Sequence, residues 1–331
     1  MNAPPNAERE LLQRLCAGPA SGGELARAGG LTRAAIWKRI EALRAAGIEI
    51  QAQPGRGYAL AQPLEWLDAA AIRAGLAPAL RTQLAGLEVA WSIDSTNSEL
   101  LRRTPPARGV AVLLAERQTG GRGRRGRTWA SPLAAHLYLS LDRQFSAGLA
   151  RLGGLSLVAG IAVAEALREA GFGSVRLKWP NDLVVADASG ALRKLGGLLV
   201  EGSGEHAGPA RAVLGIGVNV RMPASHAAKI DQPWIDLQAL SAQPVSRNRI
   251  ASLLLSRLLP ALEAFDAQGL APFVDRYAAL DALAGREIDV HGHAGVQRGV
   301  ACGIADDGAL RVRMDGAEQR LYAGEVSVRA A

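Results

Sequence analysis

The apolar positions change their spacing along the chain, and each change marks a different piece of architecture. Up to about residue 62 the spacing is helical and then alternating. Leu11, Leu12 and Leu15 make one stripe, and Ile36, Ile40 and Leu43 make another at i, i+4 and i+7. Between them Ser21 followed by Glu24 reads as a capping box that opens a short helix from Glu24 to Ala28. Gly29-Gly30 ends it and Thr32 caps the next. Ile48-Glu49-Ile50 and Tyr58-Ala59-Leu60 then alternate around the turn signal Pro54-Gly55-Arg56-Gly57. Three short helices and a hairpin are expected. After Pro63, the spacing of Leu64, Leu67, Ile72 and Leu76 predicts a linker and one amphipathic helix up to about residue 86.

The middle of the chain mixes both periods. Apolar runs at 89–93, 110–115 and 137–141 have the length of strands, and Leu152 to Ala170 that of a buried helix. A strand from Val175 to Trp179 stops at Pro180, which cannot continue a ladder, and Leu183-Val184-Val185 resumes it. Asp187-Ala188-Ser189-Gly190 is a hairpin tip, followed by strands from Lys194 to Val200 and from Ala212 to Val220. Helices are expected from Arg249 to Phe265 and from Leu270 to about Ala284. From Gly285 the period is two, through Ile288, Val290, Val296 to Ile304, Leu310, Val312, Met314, Leu321, Val326 and Val328, with turns at Asp307-Gly308 and Asp315-Gly316. The chain divides into a head (1–64), a central domain (65–283) and a small β-barrel of about five strands (284–331). The fold class is α+β.

Composition narrows this picture. With 331 residues, 49% hydrophobic, the chain can bury a sizeable core. The net charge of +7 and a pI near 10 favour an acidic or polyanionic partner, although the same charge follows from an Ala-, Gly- and Arg-rich composition. Cys16 and Cys302, far apart in apolar surroundings, fit small core side chains in a reducing compartment. The start carries no basic-then-apolar signal. The most apolar window, Leu152 to Leu167, is interrupted by Glu165 and too short to span a bilayer, so a cytoplasmic, non-membrane protein is expected.

The chemistry concentrates in Glu116 to Trp129, where five arginines and four glycines fall within fourteen residues. Such a stretch resists packing, because glycine is costly to order and guanidinium groups repel one another, so a mobile loop is expected. Hung between two core strands, it can close over an anion with backbone N–H groups and forked guanidinium donors. A solvated charged loop or an RGG-like nucleic-acid tether is the plainer alternative. In the head, Thr32, Arg33, Trp37, Lys38 and Arg56 lie on the outer face of the third helix or on the turn of the hairpin. That is the arrangement of a DNA-reading winged helix, though also of a small protein-binding module.

Gly121-Arg122-Gly123-Arg124-Arg125-Gly126-Arg127 with Trp129 resembles the biotin-binding loop of the biotin protein ligases. The same family carries, in this order around the loop, Ser95-Thr96-Asn97 upstream and then Lys178-Trp179-Pro180-Asn181-Asp182 and Lys194-Leu195-Gly196-Gly197 downstream. Leu31 to Ile36 and Pro54 to Tyr58 are similar to the head of its bifunctional ligase–repressors. The resemblance runs from about residue 9 to 329. It implies a winged helix-turn-helix, a class II synthetase-like mixed α/β ligase domain and an SH3-like C-terminal barrel. Biotin and ATP would be the substrates, with Mg²⁺ on the phosphates. The acceptor would be the biotin carboxyl carrier protein of acetyl-CoA carboxylase or a related enzyme, and operator DNA and a homodimer follow from the repressor resemblance.

By the same resemblance, Ser95, Thr96, Asn97, Gln118, Arg122, Gly123, Arg124 and Lys194 would contact biotin. Arg127, Trp129, Lys178, Asn181, Asp182, Asn219 and Trp234 would contact ATP, and Arg124, Lys194 and Lys178 would serve the reaction by neutralising charge. No metal ligand is assigned. The segment Arg221 to Gln232 departs from the basic stretch expected there. A lipoate ligase, a biotin sensor without turnover and a plain nucleic-acid-binding protein are the other readings.

Overall fold

The computed structural model describes residues 5–204, 209–292, 295–323 and 327–330. The head contains α1 (Pro5–Cys16), α2 (Gly22–Ala28) and α3 (Arg33–Ala45), then the hairpin β1 (Ile50–Gln53) and β2 (Gly57–Leu60). Both expected caps form: Ser21 and Glu24 close a reciprocal capping box, and the Thr32 hydroxyl accepts from the Ala35 N–H at 3.2 Å. Ile36, Ile40 and Leu43 are buried together with Leu12 and Leu25, which leaves Trp37, about a quarter-turn round α3 from that stripe, 55% exposed. Arg44 is withdrawn from that outer face, donating to the Ile50 carbonyl at 2.9 Å and pairing with Glu41.

The central domain is built on a seven-stranded sheet in the order β3-β4-β5-β9-β8-β7-β6. Its strands are β3 (Leu84–Ala90), β4 (Val110–Ala115), β5 (Leu137–Phe145), β6 (Arg176–Lys178), β7 (Asp182–Ala186), β8 (Leu192–Gly204) and β9 (Ala210–Val218); β3 and β4 are parallel and the other neighbours antiparallel. Alternation sorts the side chains. Val110, Val112, Leu137, Leu139, Leu141, Leu214 and Ile216 enter the main core beside α7 (Leu155–Glu169) and α9 (Arg247–Gln268). Leu113 and Val213 pack on the other face under Leu100 of α6 (Thr96–Arg102). Tyr138, Ser140, Gly215, Gly217 and Gly197 lie in the same alternation as Leu113 and Val213.

Three expectations fail. The linker helix is two short ones, α4 (Ala69–Ala74), capped by the Asp68 carboxylate, and α5 (Pro78–Arg81), separated at Gly75. A short α8 (Ala224–Ala227) also interrupts the segment after β9. The helix expected over 270–284 shrinks to a 3₁₀ turn at Ala271–Phe273 and α10 (Val274–Ala278). Beyond it the chain extends to pair with β6, the Leu177 N–H donating to the Leu280 carbonyl at 2.8 Å and the Ala282 N–H to the Leu177 carbonyl at 2.7 Å. Tertiary pairing has overridden helix propensity there. The cysteines are not core side chains: Cys16 is exposed and Cys302 half-buried.

The C-terminal domain is a five-stranded antiparallel sheet, β13-β12-β11-β10-β14, made of β10 (Glu287–Gly292), β11 (Gly295–Ile304), β12 (Leu310–Met314), β13 (Ala317–Leu321) and β14 (Ser327–Ala330). Val326 lies outside the described residues. No helix among the described residues is long and apolar enough to cross a membrane.

Candidate active site

A cavity of about 1470 Å³ opens on the α6 face of the large sheet. It exceeds the usual volume for one small ligand, roughly 300–1,000 Å³. Its floor is a stripe of glycines. Gly197 and Gly217 are paired across β8 and β9, and the Trp129 indole lies on them: a Cβ on Gly217 would come within 2.7 Å of the ring. The Lys194 ammonium sits 5.5 Å from the same ring centroid, and Lys194 pairs with Asp182 at 2.7 Å. The indole N–H is buried against the Gly217 backbone without a hydrogen-bond partner among the described residues.

One end of the cavity is polar and neutral. The N-terminus of α6 places Ser95, Thr96 and Asn97 there, all at or below 5% exposed, with the Ser95 hydroxyl capping the helix. Gln118 accepts from the Thr96 N–H at 2.8 Å. The Asn97 amide donates to Glu201 at 2.8 Å and to the Leu199 carbonyl at 3.3 Å, while its oxygen accepts from Ser140 at 2.6 Å. Asn97 therefore lines the wall with its polar groups already engaged. Asp94, the residue before Ser95, is held down to about 2 by the bidentate Arg102 guanidinium and by the Ser95 N–H.

The other end is cationic. The arginine loop, expected to lack regular structure, closes as a tight turn: the Gly123 N–H donates to the Arg127 carbonyl at 2.7 Å and the Trp129 N–H to the Gly121 carbonyl at 2.9 Å. Arg125 (φ 55°) and Gly126 (φ 72°) take left-handed backbone at its tip, which for the arginine costs about 1–2 kcal/mol. Arg122 reaches back to Ser98 and Glu201. Arg124 turns inward, donating to the Asn181 side-chain oxygen at 3.2 Å and to the Ala323 carbonyl of the C-terminal domain. Burial, and secondarily Arg125, pull the Arg124 pKa below the usual arginine value, while Asp182 opposes the shift. A cation desolvated in this way gains from an incoming anion.

Of the residues singled out in the sequence, Ser95, Thr96, Asn97, Gln118, Arg122, Gly123, Arg124, Arg127, Trp129, Lys178, Asn181, Asp182 and Lys194 all line this one cavity. Asn219 and Trp234 do not. Asn219 is 5% exposed, and its amide donates to the carbonyls of Ile235 and Lys194, so it clips the 233–237 segment to β8.

Three family models cover most of the chain: "Biotin/lipoate A/B protein ligase family" over residues 89–219, "HTH domain" over 8–59 and "Biotin protein ligase C terminal domain" over 284–329. The bifunctional ligase/repressor BirA of Escherichia coli is 40% identical over 94% of this chain and 93% of its own length. The chain belongs to the bifunctional ligase/repressor family of biotin protein ligases. BirA of Bacillus subtilis is 27% identical over 93% of both chains. The biotin protein ligase of Aquifex aeolicus solved with biotin and ATP is similar over 75% of this chain and all of its own, at a TM-score of 0.62 and 25% identity.

In this ligase the sequence left several cavity residues unnoticed: Lys229, Asp231 and Gln232 after α8, the hairpin tip at Ser189–Leu192, and Arg286 and Glu287 from the C-terminal domain. Arg286 donates to the Gly190 carbonyl at 2.9 Å and Trp179 to the Gly308 carbonyl at 3.0 Å, so the C-terminal domain forms part of the rim. Lys229 and Asp231 in an otherwise unmatched segment were the available signal. The head is joined to the site as well: the Leu133 N–H, just past the loop, donates to the Ala46 carbonyl at 2.8 Å, and Gly47 (φ 105°) lies too close to Pro132 for any side chain.

Proposed function

We propose that the cleft joins biotin to ATP and passes the biotinyl group to a lysine of a biotin carboxyl carrier domain, that of acetyl-CoA carboxylase or a related enzyme. The observation that carries this reading is the layout of one cavity, with a neutral donor–acceptor end at Thr96 and Gln118 and a cationic end at Arg124, Lys194 and Lys178. A ureido ring needs the first and a carboxylate facing a triphosphate needs the second.

In the first step a carboxylate oxygen of biotin attacks the α-phosphorus of ATP. The bond to the bridging oxygen breaks, and pyrophosphate leaves biotinyl-5′-AMP. The two reactants repel one another, so Arg124 and Lys194 neutralise the carboxylate and acyl phosphate while Lys178 and Arg127 face the phosphates. Ser95, Thr96 and Gln118 hold the ring, and Arg122 and Gly123 cover its tail. Trp129 walls off water, and Asn219 places Trp234 beside the strand that carries Lys194. In the second step the neutral lysine amine of the acceptor attacks the acyl carbon and AMP departs.

Magnesium arriving with ATP would shield the phosphate charge. Among the described residues no three His, Cys, Asp or Glu side chains cluster, so Asp182 with Asn181 would supply the protein oxygens and phosphate and water the rest. Intact mass of a biotin carrier domain after incubation with the protein, ATP, Mg²⁺ and biotin tests the reading, with lipoate in parallel. One added biotinyl group with lipoate inert is expected; no mass change on a competent acceptor overturns it.

The exposed Trp37, with Arg33 and Lys38 on the same helix and Arg56 in the hairpin turn, is the face with which the head would enter a major groove, and the Thr32 hydroxyl serves there as helix cap. Two heads on a dimer formed in the adenylate-bound state would read a two-part operator. Duplexes enriched from a random pool should bind two protein copies, more tightly with biotin and ATP present and more weakly as salt rises. Binding indifferent to salt and to ligand removes the repressor reading.

A further inference from the structure

Behind the neutral end of the cavity lies a chain of hydrogen bonds whose members Ser140 and Glu201 do not line the cavity. Its proton directions follow from chemistry. The Leu199 carbonyl and the Glu201 carboxylate only accept, so the Asn97 side chain must present its NH₂ to them and its oxygen to Ser140. That oxygen has no proton, so the Ser140 hydroxyl must donate to it across the 2.6 Å contact. The Ser140 oxygen is also 2.6 Å from the Thr96 hydroxyl, a distance that requires a proton between them, and only Thr96 has one left to give.

The consequence reaches the cavity. With its proton committed to Ser140, the Thr96 oxygen faces the Gln118 oxygen at 3.1 Å as a pair of acceptors, the Gln118 oxygen already taking the Thr96 N–H. We infer that Ser140, held through Asn97 by Glu201, is a positioning residue that fixes Thr96 as an acceptor, so that the site selects a ligand ring offering an N–H. Ser140 is fully buried opposite Gly215 in the β5–β9 register. A Cβ on Gly215 would fall 2.4 Å from the Asn97 oxygen, so the glycine gives Asn97 room to lie across β9. Hydrogen bonds in series polarise one another, and a carboxylate at the far end strengthens each link.

This inference rests on the biotin reading of the cleft, and the experiment separates the two. Biotin affinity is measured by calorimetry for the wild type, Ser140→Ala, Thr96→Val and the double variant, with ATP affinity measured alongside. In Ser140→Ala the Thr96 proton turns to the Gln118 oxygen, which is then filled by the Thr96 N–H and O–H and lost as an acceptor, breaking the pair. Biotin should bind about tenfold more weakly, with ATP affinity and turnover at saturating biotin unchanged. Once Thr96→Val has removed the hydroxyl, adding Ser140→Ala should weaken binding no further. If the wild type takes up no biotin, the reading of the cleft falls and the relay with it. If the wild type binds biotin but Ser140→Ala binds it equally well, or the two losses add, the relay alone falls.

Discussion

At the Thr96 end of the cleft the polar side chains are locked to one another and to the sheet: Asn97 to the buried Ser140, to Glu201 and to a strand carbonyl, Thr96 to Ser140, Gln118 to the α6 backbone. At the Arg124 end Lys178 and Lys194 stand on strands, but Arg124 comes from a turn with two successive residues in left-handed backbone and is tied to Asn181 and to a carbonyl of a different domain. The first end is a template made during folding. The second holds its charges against contacts that an anion can replace, and the desolvated Arg124 gains from that exchange. A neutral ring is recognised by shape and hydrogen-bond direction, which demand rigidity. A triphosphate must enter, react and leave as pyrophosphate, which demands partners that can be exchanged.

Substitutions at the two ends should separate catalysis from stability. Arg124→Ala is expected to have the larger effect. Biotin-dependent ATP–pyrophosphate exchange should fall about a hundredfold, in line with the loss of one preorganised donor to a developing charge, while thermal unfolding by calorimetry stays at the wild-type temperature. A large drop in melting temperature with adenylate still retained would mean that the loop is structural and erase the contrast. Gly215→Ala should act in the opposite sense. The added methyl collides with the Asn97 oxygen and costs about 1–3 kcal/mol of stability as an overpacked core does, with weakened biotin binding. Urea denaturation checks this, and a variant as stable as the wild type would show that the wall has slack.

Much of this was legible along the chain. The capping box at Ser21, the Thr32 cap and the hairpin tip at Asp187 are local, and they appear where the sequence places them. Residues of all four boxes line one cavity. Illegible were the features that depend on what lies across a strand. Nothing near Asn219 says that its amide will bond Ile235 instead of facing the cavity, and nothing near Ala323 says that its carbonyl will receive Arg124. The helix expected over 270–284 failed for the same reason, since its C-terminal half is claimed by β6.

By itself, then, the sequence determined most of the elements, the core faces of the regular ones and the chemical kinds of group that the site would contain. Those depend on periods of two and 3.6 and on residue type, which are properties of neighbours along the chain. The tertiary structure alone decided the register that sets Ser140 beside Asn97 and Gly215, and the docking that brings the C-terminal domain to the rim. Those contacts join residues tens to hundreds of positions apart, and only the packing of the whole core fixes where they meet.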